Sequence, residues 1–309
     1  MAGPGATDAC VRPRPPRRAV GTMKVSVYLP TRNRLELLQR AVRSVLEQSH
    51  QDFELIVVND ASTDGTRAYL DALAAADARV IVVHNETPGG APAARNKAIL
   101  RSTGDFVTGL DDDDYFHPER LKSLLAYWDL LGRTGERFSC LYTQDVVIGR
   151  GPAFTTRRAG SVSVEQMFTA NLIGNQIFAP RQTYIDAGLF DEEMPAWQDL
   201  DFYVRVLMTH GPGRLLDAGL YYFLDAPRPD RITKASREKI MAAYLRMSAK
   251  YADQPPALRQ RLFLQMFSRV YGLRPRLRDV AHFFSLGFDP MSWLKMVALL
   301  LGVRRPMGR

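Results

Sequence analysis

The sequence GDFVTGLDDDD, residues 104–114, decides the fold and locates the functional site. Residues 106–110 are mostly apolar, as in a buried strand, and the run stops at four consecutive aspartates, which the interior of a sheet does not accept unpaired. The acids must therefore lie where the strand leaves the sheet, and open α/β sheets bind their ligands there. Because adjacent carboxylates repel one another, the cluster is either solvated in a turn or neutralised by a hard cation such as Mg²⁺, Mn²⁺ or Ca²⁺.

The overall composition is that of a globular protein. The chain has 309 residues, of which 46% are hydrophobic and 24% are charged, so it can form one large domain or two. Cys10 and Cys140 are far apart and belong to no metal-binding motif, which favours a reducing, cytoplasmic setting without a disulfide scaffold or zinc site. Residues 1–22 are rich in Pro, Gly, Ala and Arg and lack the apolar segment of a signal peptide. We expect a disordered tail there, with Met23 as a candidate alternative start.

Charge is distributed unevenly along the chain. The net charge is +8, and residues 227–309 contain 17 Lys and Arg against 5 Asp and Glu, whereas residues 23–226 are acidic overall. A basic region of this kind suits an anionic surface such as membrane lipid. The sequence contains no aromatic-basic module of the nucleic-acid-binding types, so we expect no nucleic-acid partner.

Strand and helix patterns alternate in the first part of the chain. Apolar, β-type runs at residues 25–29, 53–58, 80–83 and 106–110 are separated by segments with helical periodicity. Repeated β-α units predict parallel strands in a doubly wound sheet with helices on both faces. Polar residues follow each of these strands, so we expect the polar clusters to converge at one edge of the sheet.

These polar clusters together suit a nucleotide diphosphate. An aspartate after the second strand can accept a hydrogen bond from a base or ribose, arginines after the first and third strands can meet the phosphates, and a metal can bridge phosphates and carboxylates. Neither a Gly-x-Gly-x-x-Gly nor a Walker motif occurs, which disfavours a dinucleotide enzyme or a phosphate-loop NTPase. Taken alone, Asp60 could instead cap a helix or form an Asx turn, and Arg95 could be a surface residue.

Four segments resemble, in order, the motifs of family 2 glycosyltransferases with the glycosyltransferase-A fold. They are PTRNR at 30–34, VVNDASTDGT at 57–66, ARN at 94–96 and LDDDD at 110–114. The resemblance implies an α/β catalytic domain at residues 23–226, with a Rossmann-like mixed sheet flanked by helices, followed by a basic helical C-terminal region at residues 227–309. It also implies an inverting transfer from a nucleotide-diphosphate sugar.

The resemblance assigns roles to residues after the first three strands. Pro30, Thr31 and Arg34 would line the nucleotide pocket. Asp60 would hold the base, and Arg95 would lie near the base or ribose. A UDP-sugar is the favoured donor, with dTDP-rhamnose or a GDP-sugar left open.

The four aspartates after the fourth strand receive unequal roles from the same resemblance. Asp111 and Asp113 match the family's Asp-x-Asp pair, with Asp113 as the direct ligand of Mg²⁺ or Mn²⁺ and Asp111 directed toward the ribose and the metal. Asp112 is assigned to the nucleotide-sugar-binding set, although it and Asp114 are also expected to orient the turn or meet solvent.

A segment further along, DEEMPAWQDLDF at 191–202, is similar to the family's Glu-Asp motif before a helix. Gln198 stands where Glu is common, but Asp199 keeps the position of the general base, which would take the proton of the acceptor hydroxyl as it attacks the anomeric carbon. Without the resemblance, Asp199 could equally be the N-cap of the helix that follows. Asp201 is expected to be structural, and Trp197 to belong to the core or the pocket wall.

The basic C-terminal region leaves two arrangements open. Helical periodicity predicts helices at 237–251, 257–271 and 277–286, and an apolar helix that starts at Pro290. This last run is too short for a bilayer, which needs about 20 residues. It could lie in the membrane interface with arginines on anionic lipid, or fold back as a cap on the catalytic domain. Arg228, Arg231 and Lys234 could cover the diphosphate from the preceding loop.

The sequence therefore predicts a metal-dependent inverting glycosyltransferase of the hexosyl- or rhamnosyltransferase type. Its acceptor would be a glycan or lipid-linked hydroxyl in lipopolysaccharide core, O-antigen or exopolysaccharide assembly. A sugar nucleotidyltransferase would need a Gly-rich loop that residues 30–34 lack, and a non-catalytic nucleotide-sugar binder would not need Asp199. The expected location is the cytoplasm, or the cytoplasmic face of the inner membrane.

Overall fold

The computed structural model describes residues 23–174, 176–225 and 236–302. The first half contains β1 (Val25–Thr31), α1 (Leu35–Leu46), β2 (Phe53–Asp60), α2 (Thr66–Ala76), β3 (Val80–Asn85), α3 (Ala91–Arg101), β4 (Phe106–Gly109), β5 (Tyr115–Phe116), α4 (Arg120–Thr134) and β6 (Cys140–Ile148). The second half contains β7 (Phe154–Thr155), β8 (Ser161–Val162), α5 (Val164–Met167), β9 (Phe178–Pro180), α6 (Arg181–Asp186), α7 (Gln198–His210), β10 (Gly213–Leu224), α8 (Arg237–Lys250), α9 (Pro256–Gln265), α10 (Leu277–Ser285) and α11 (Pro290–Leu300). The predicted tail at 1–22, the proposed domain boundary at 226/227 and the loop with Arg228, Arg231 and Lys234 lie outside the described residues.

The strands form one mixed sheet, as the resemblance implies. Its order is β3-β2-β1-β4-β9-β6-β10-β5, with β7 beside β6 and β8 beside β10. The first four strands are parallel, as the repeated β-α units predict. The sheet becomes mixed because β9 is antiparallel to both β4 and β6. The predicted α/β class with a mixed sheet is therefore confirmed.

The parallel register brings the ends of β1 to β4 to one edge. Thr31 pairs with Asn59 and Tyr28 with Gly109, so the segments after these strands start close together. Gly109 is required here, because a Cβ at this position would lie 2.3 Å from the Tyr28 ring and 2.2 Å from Gln176. The acidic turn therefore leaves β4 directly beside the end of β1.

Side chains on opposite faces of the sheet enter two hydrophobic clusters. Val27 of β1 packs with the apolar face of α1, which contains Val42. Tyr28, pointing the other way, belongs to a larger cluster that also includes Phe263 of α9 and Met296 of α11. The C-terminal helices thus share a core with the sheet.

Charged contacts also attach the C-terminal helices to the segment before α7. Arg246 of α8 donates to both carboxylate oxygens of Asp191, at 2.5 and 2.8 Å. Lys250 donates to Asp191 at 2.6 Å and to the buried Asp201 at 2.9 Å. Hydrogen bonds from Arg246 and Lys250 hold the pKa of Asp191 well below its usual value, although burial opposes them. Asp201 also accepts from Arg205, so its contacts agree with the structural role expected of it.

One predicted boundary is wrong, and one strand is longer than its apolar run indicates. β10 extends over Gly213–Leu224, because its pairing with β6 continues through irregular register around Gly219. The helix predicted at 257–271 spans Pro256–Gln265 and is followed by turns. These turns lead the chain back toward the edge where β1 to β4 end.

Candidate active site

A cleft of about 940 Å³ lies beyond the ends of the parallel strands. All the residues that the sequence assigns to the site line this cleft: Pro30, Thr31, Arg34, Asp60, Arg95, Asp111, Asp112, Asp113 and Asp199. The structure therefore brings together residues that are up to about 170 positions apart in the sequence.

Two of the four consecutive aspartates are used to build the turn. Thr31 donates to Asp112 at 2.8 Å and Arg34 donates to its other oxygen at 2.9 Å. The hydroxyl of Tyr221 and the backbone N–H of Leu224 donate to Asp114, each at 2.9 Å. These side chains are buried, so the alternative that they meet solvent is wrong.

Burial changes the acidity of both turn aspartates. It raises the pKa of Asp112 to about 6, although Arg34 and the Thr31 hydroxyl oppose the rise. It also raises the pKa of Asp114 well above its usual value, and the negative charges of Asp113 and Asp111 add to this rise. Asp112 thus ties the loop after β1 to the acidic turn, and Asp114 ties the turn to β10.

Asp111 and Asp113 are placed differently from their two neighbours. Both line the cleft, and their side chains are 29% and 16% exposed. Mg²⁺ is commonly bound by one or two carboxylates together with substrate phosphates. The described part of the chain has no group of three or more His, Cys, Asp or Glu placed around a metal position. The Asp111 and Asp113 carboxylates are oxygen ligands of the kind that Mg²⁺ and Mn²⁺ prefer.

Asp60 organises the loop between β3 and α3. One of its oxygens accepts from Asn85 at 2.7 Å and from the Gly89 N–H at 2.8 Å, and the other accepts from the Gly90 N–H at 2.8 Å. Burial would raise the pKa of Asp60, but these hydrogen bonds outweigh it and lower the pKa. A carboxylate offers about four acceptor positions, so the charged group can still accept one bond from a ligand in the cleft.

Arg95 lies between two acidic residues of the cleft. Its guanidinium donates to Asp111 at 2.8 Å and to Asp199 at 2.9 Å, and it lies over the ring of Phe190 at 5.2 Å. Its pKa is raised well above the usual value because the two neighbouring carboxylates outweigh burial. The structure thus joins Asp111 to the candidate base through one arginine.

Asp199 lies in the first turn of α7 and faces the cleft. The helix begins at Gln198, and its N-cap is Trp197, so the alternative that Asp199 is the N-cap is wrong. Its side chain is 32% exposed. Burial raises the pKa of Asp199 to about 6, although the positive charge of Arg95 opposes the rise. A carboxylate with this pKa is ionised at neutral pH and is more basic than an ordinary aspartate.

The segment before Asp199 is held firmly to α3. Asn96 donates to the carbonyl of Phe190 and to the carboxylate of Glu192, and its side-chain oxygen accepts the Phe190 N–H at 2.8 Å. Asn96 is the last residue of the predicted ARN motif, whose arginine contacts Asp199 itself. Helix α3 therefore fixes the backbone before Asp199 through Asn96 and places a positive charge next to Asp199 through Arg95.

Part of the cleft wall comes from residues that the sequence analysis does not single out. Ile240, Gln265, Ser268, Val270 and Tyr271 reach the cleft from the C-terminal region. The indole N–H of Trp197 donates to the Tyr271 hydroxyl at 2.9 Å, across 74 positions of sequence. No local pattern predicts such a contact, since it depends on how the C-terminal helices dock. Helices α8 and α9 therefore form part of the cleft wall.

Sequence comparison relates the chain to enzymes of polysaccharide synthesis. The profile described as Glycosyl transferase family 2 matches residues 26–157. The putative colanic acid biosynthesis glycosyl transferase WcaA of Escherichia coli is 34% identical over 188 residues, which are 60% of this chain and 67% of that protein. The putative teichuronic acid biosynthesis glycosyltransferase TuaG of Bacillus subtilis is 43% identical over 103 residues, which cover 33% of this chain and 41% of TuaG. The chain thus spans less than two thirds of TuaG.

Comparison with solved structures supports the fold over nearly the whole chain. The crystal structure of S. aureus TarS in complex with UDP-GlcNAc matches with a TM-score of 0.64 and 22% identity, over 91% of this chain and 80% of that one. The mannosyltransferase PcManGT from Pyrobaculum calidifontis, in complex with GDP-Man and Mn²⁺, matches with a TM-score of 0.56 and 18% identity, over 93% and 83%. At these identities the likeness concerns the fold alone.

Proposed function

The chain belongs to glycosyl transferase family 2, and from this premise we propose that it catalyses an inverting transfer from a nucleotide-diphosphate sugar to an acceptor hydroxyl. The observation that carries the proposal is the position of Asp199. Its partly exposed carboxylate faces the same cleft as the strand-end residues, and burial raises its pKa to about 6. A general base works best with a pKa near the working pH, so this environment favours proton removal.

The nucleotide would bind along the ends of β1 and β2. Pro30, Thr31 and Arg34 form the wall beside Asp60, whose remaining acceptor position suits an N–H of a base. Arg34 would in addition offer a positive charge to the phosphates, since its guanidinium already lies 3.6 Å from Asp113. The proposed donor is a UDP-sugar, with dTDP- and GDP-sugars as the alternatives to be tested.

Asp113 and Asp111 would hold Mg²⁺ or Mn²⁺ against the diphosphate. When bound, the metal supplies positive charge that stabilises the diphosphate as it leaves. Asp112 and Asp114 would support this arrangement, because they fix the acidic turn by accepting hydrogen bonds from Thr31 and Tyr221. We therefore assign Asp112 a positioning role in donor binding rather than a direct contact.

The proposed reaction moves one proton and exchanges one bond at the anomeric carbon. Asp199 accepts the proton of the acceptor hydroxyl, whose oxygen forms a bond to the anomeric carbon from the face opposite the leaving group. The bond from that carbon to the diphosphate oxygen breaks, and its electron pair leaves with the nucleoside diphosphate. Because attack comes from the opposite face, the configuration of the sugar is inverted.

The proposed pathway is the assembly of a bacterial surface polysaccharide. WcaA is named for colanic acid, and a relative from Erwinia amylovora, 28% identical over 188 residues that cover 58% of this chain and 62% of that protein, is named for amylovoran. Acceptors in this chemistry are glycans or lipid-linked saccharides, and a cleft wall formed partly by Trp197 and Tyr271 suits a sugar ring.

The decisive experiment separates binding from transfer. Purified protein is incubated with UDP-, dTDP- and GDP-sugars, Mn²⁺ and polyprenyl-linked or free glycan acceptors, and the nucleoside diphosphate and glycan product are measured. We expect Asp199→Asn to bind the donor normally and to lose transfer, whereas Glu193→Gln, an exposed change in the same segment, keeps both. Unchanged transfer by Asp199→Asn would refute the base assignment. Donor binding without transfer by the wild-type protein would favour a nucleotide-sugar binder.

A further inference from the structure

We propose that the outward face of α11 docks on an anionic lipid surface. The apolar face consists of Phe288, Met291, Leu294, Val297, Leu300 and Leu301, whose exposures range from 44% to 73%. The opposite side of the helix contains Ser292 and Met296, both buried against the protein. The outward side of α11 is therefore mainly apolar, and Lys295 is its exposed charge.

This pattern is the reverse of that of an ordinary surface helix, whose outward side is polar. Residues 291, 294, 297 and 301 recur at helical spacing, so their side chains form one continuous strip. Contiguous exposed apolar surface on a soluble domain marks a place where something binds. In the described residues no helix is both long and apolar enough to cross a bilayer, so a strip of this length would lie along an interface.

The apolar face is held rigidly. Asp289 caps α11 by accepting the Ser292 N–H at 3.1 Å, and Trp293 donates its indole N–H to the Gly287 carbonyl at 3.3 Å. The Trp293 ring also makes edge contacts with Phe288 and Phe284, at 4.8 and 4.4 Å between ring centres. The face is thus preformed, with a tryptophan at its border where an amphipathic ring meets a headgroup layer.

The exposed charged side chains within residues 274–302 are positive. Lys295 lies on α11 itself, and Arg274, Arg276 and Arg278 are exposed just before and within α10. The two acidic residues of this stretch are used internally, since Asp279 accepts from Arg237 and Asp289 caps α11. Residues 236–302 contain 11 Lys and Arg against 4 Asp and Glu. Basic side chains next to apolar ones are what binds an amphipathic surface to anionic lipid.

The same charges argue against a second copy of the chain as the occupant. In a two-fold symmetric dimer the apolar face would meet its own copy, so the exposed Lys295 of α11 and the basic side chains of residues 274–278 would gain no opposite charge there. A membrane with anionic headgroups matches both the apolar strip and this positive charge. The charge pattern therefore favours lipid over a second copy.

The apolar face follows the cleft wall in the chain. Val270 and Tyr271 line the cleft, and α10 and then the apolar face, which begins at Phe288, come after them. If the acceptor is lipid-linked, docking would bring it to Asp199; this consequence rests on the proposed function, but lipid binding itself does not.

Vesicle sedimentation tests the proposal. The full chain is mixed with vesicles of phosphatidylglycerol and phosphatidylcholine, or of phosphatidylcholine alone, at low and high salt. We expect binding to the mixed vesicles that weakens with salt, and a loss of at least about tenfold in the double variant Leu294→Ser/Leu301→Ser. The matched control is Leu130→Ser/Met208→Ser, which removes two half-exposed apolar side chains from α4 and α7 and should bind as the wild type does.

Three results would overturn the docking proposal. One is the absence of wild-type binding to the mixed vesicles, and another is equal binding by the Leu294→Ser/Leu301→Ser variant and its control. The third is a wild-type dimer that this variant dissociates without any change in vesicle binding, which would identify a second copy as the occupant. Binding of UDP with Mn²⁺ is measured on the same proteins and should be unchanged. A failure of the wild type to bind any of UDP, dTDP and GDP would count against the proposed function and not against docking.

Discussion

Arg95 donates to Asp199 at 2.9 Å, and the same guanidinium contacts Asp111 at 2.8 Å. The candidate base therefore lies against a buried positive charge that it shares with Asp111. Burial raises the pKa of Asp199 and the positive charge of Arg95 lowers it, and the resulting pKa is about 6. This balance makes the pH dependence of transfer a direct test of the site.

We expect the rate of transfer to fall as the pH drops through about 6, because Asp199 must be ionised to accept a proton. Arg95→Met removes the positive charge that favours the ionised form, so the acid limb of kcat/KM should move up by about 1 to 3 pH units. Arg95→Lys retains a positive charge and should leave the limb near its wild-type position. Profiles of kcat/KM against pH for the three proteins provide the measurement, and identical limbs in the wild type and Arg95→Met would contradict the assignment.

Asp113→Asn should weaken the Mn²⁺-dependent part of donor binding. Loss of a residue that only orients a metal ligand already costs about 10- to 100-fold in affinity, so loss of a direct ligand should cost at least about tenfold. Calorimetric titration of UDP in the presence of Mn²⁺ and in the presence of EDTA separates the metal-dependent part of donor binding from the metal-independent part. Binding in EDTA should be unchanged, and a variant that keeps the full effect of Mn²⁺ would show that Asp113 is not a ligand.

The convergence of the residues that follow β1, β2 and β4 could be predicted from the sequence because each signal is local. The apolar run before Asp111 and the polar residues after β1 and β2 each indicate a strand and its end, and parallel pairing then places the ends together. The resemblance adds Asp199 to the same cleft. Its contact with Arg95, across 104 positions, has no local signal.

The different roles of the four consecutive aspartates could be predicted only in part. That Asp112 and Asp114 are buried depends on Thr31 and Arg34 on one side and on the distant Tyr221 on the other. The C-terminal wall of the cleft was equally out of reach, since it depends on packing between helices. The local sequence indicates where charged side chains occur, whereas tertiary contacts decide which of these side chains remain available to a ligand.

Trp197→Phe and Tyr271→Phe should each slow transfer without weakening donor binding. The bond between these side chains is 2.9 Å long and fixes the residue that precedes Gln198 and Asp199, where Trp197 has a left-handed backbone with φ of 60°. Loss of one such hydrogen bond costs roughly 1 kcal/mol, which corresponds to about a fivefold fall in kcat/KM for the acceptor. A double-mutant cycle is the control: kcat/KM of the double variant should be no lower than that of either single variant. Additive losses would show that the two residues act independently.

Gly109→Ala should destabilise the fold and disorder the acidic turn. The new methyl group would lie 2.3 Å from the Tyr28 ring and 2.2 Å from Gln176, inside a packed sheet. Overpacking of this kind costs about 1 to 3 kcal/mol or more in the free energy of unfolding. Gly132→Ala is the matched control, since a methyl group there meets nothing within 4 Å and the residue lies within α4. That change should raise the stability by about 0.5 to 1 kcal/mol, because alanine favours a helix more than glycine does. Urea unfolding of the two variants measures both effects, and equal stabilities would mean that the end of β4 is packed more loosely than the structure shows.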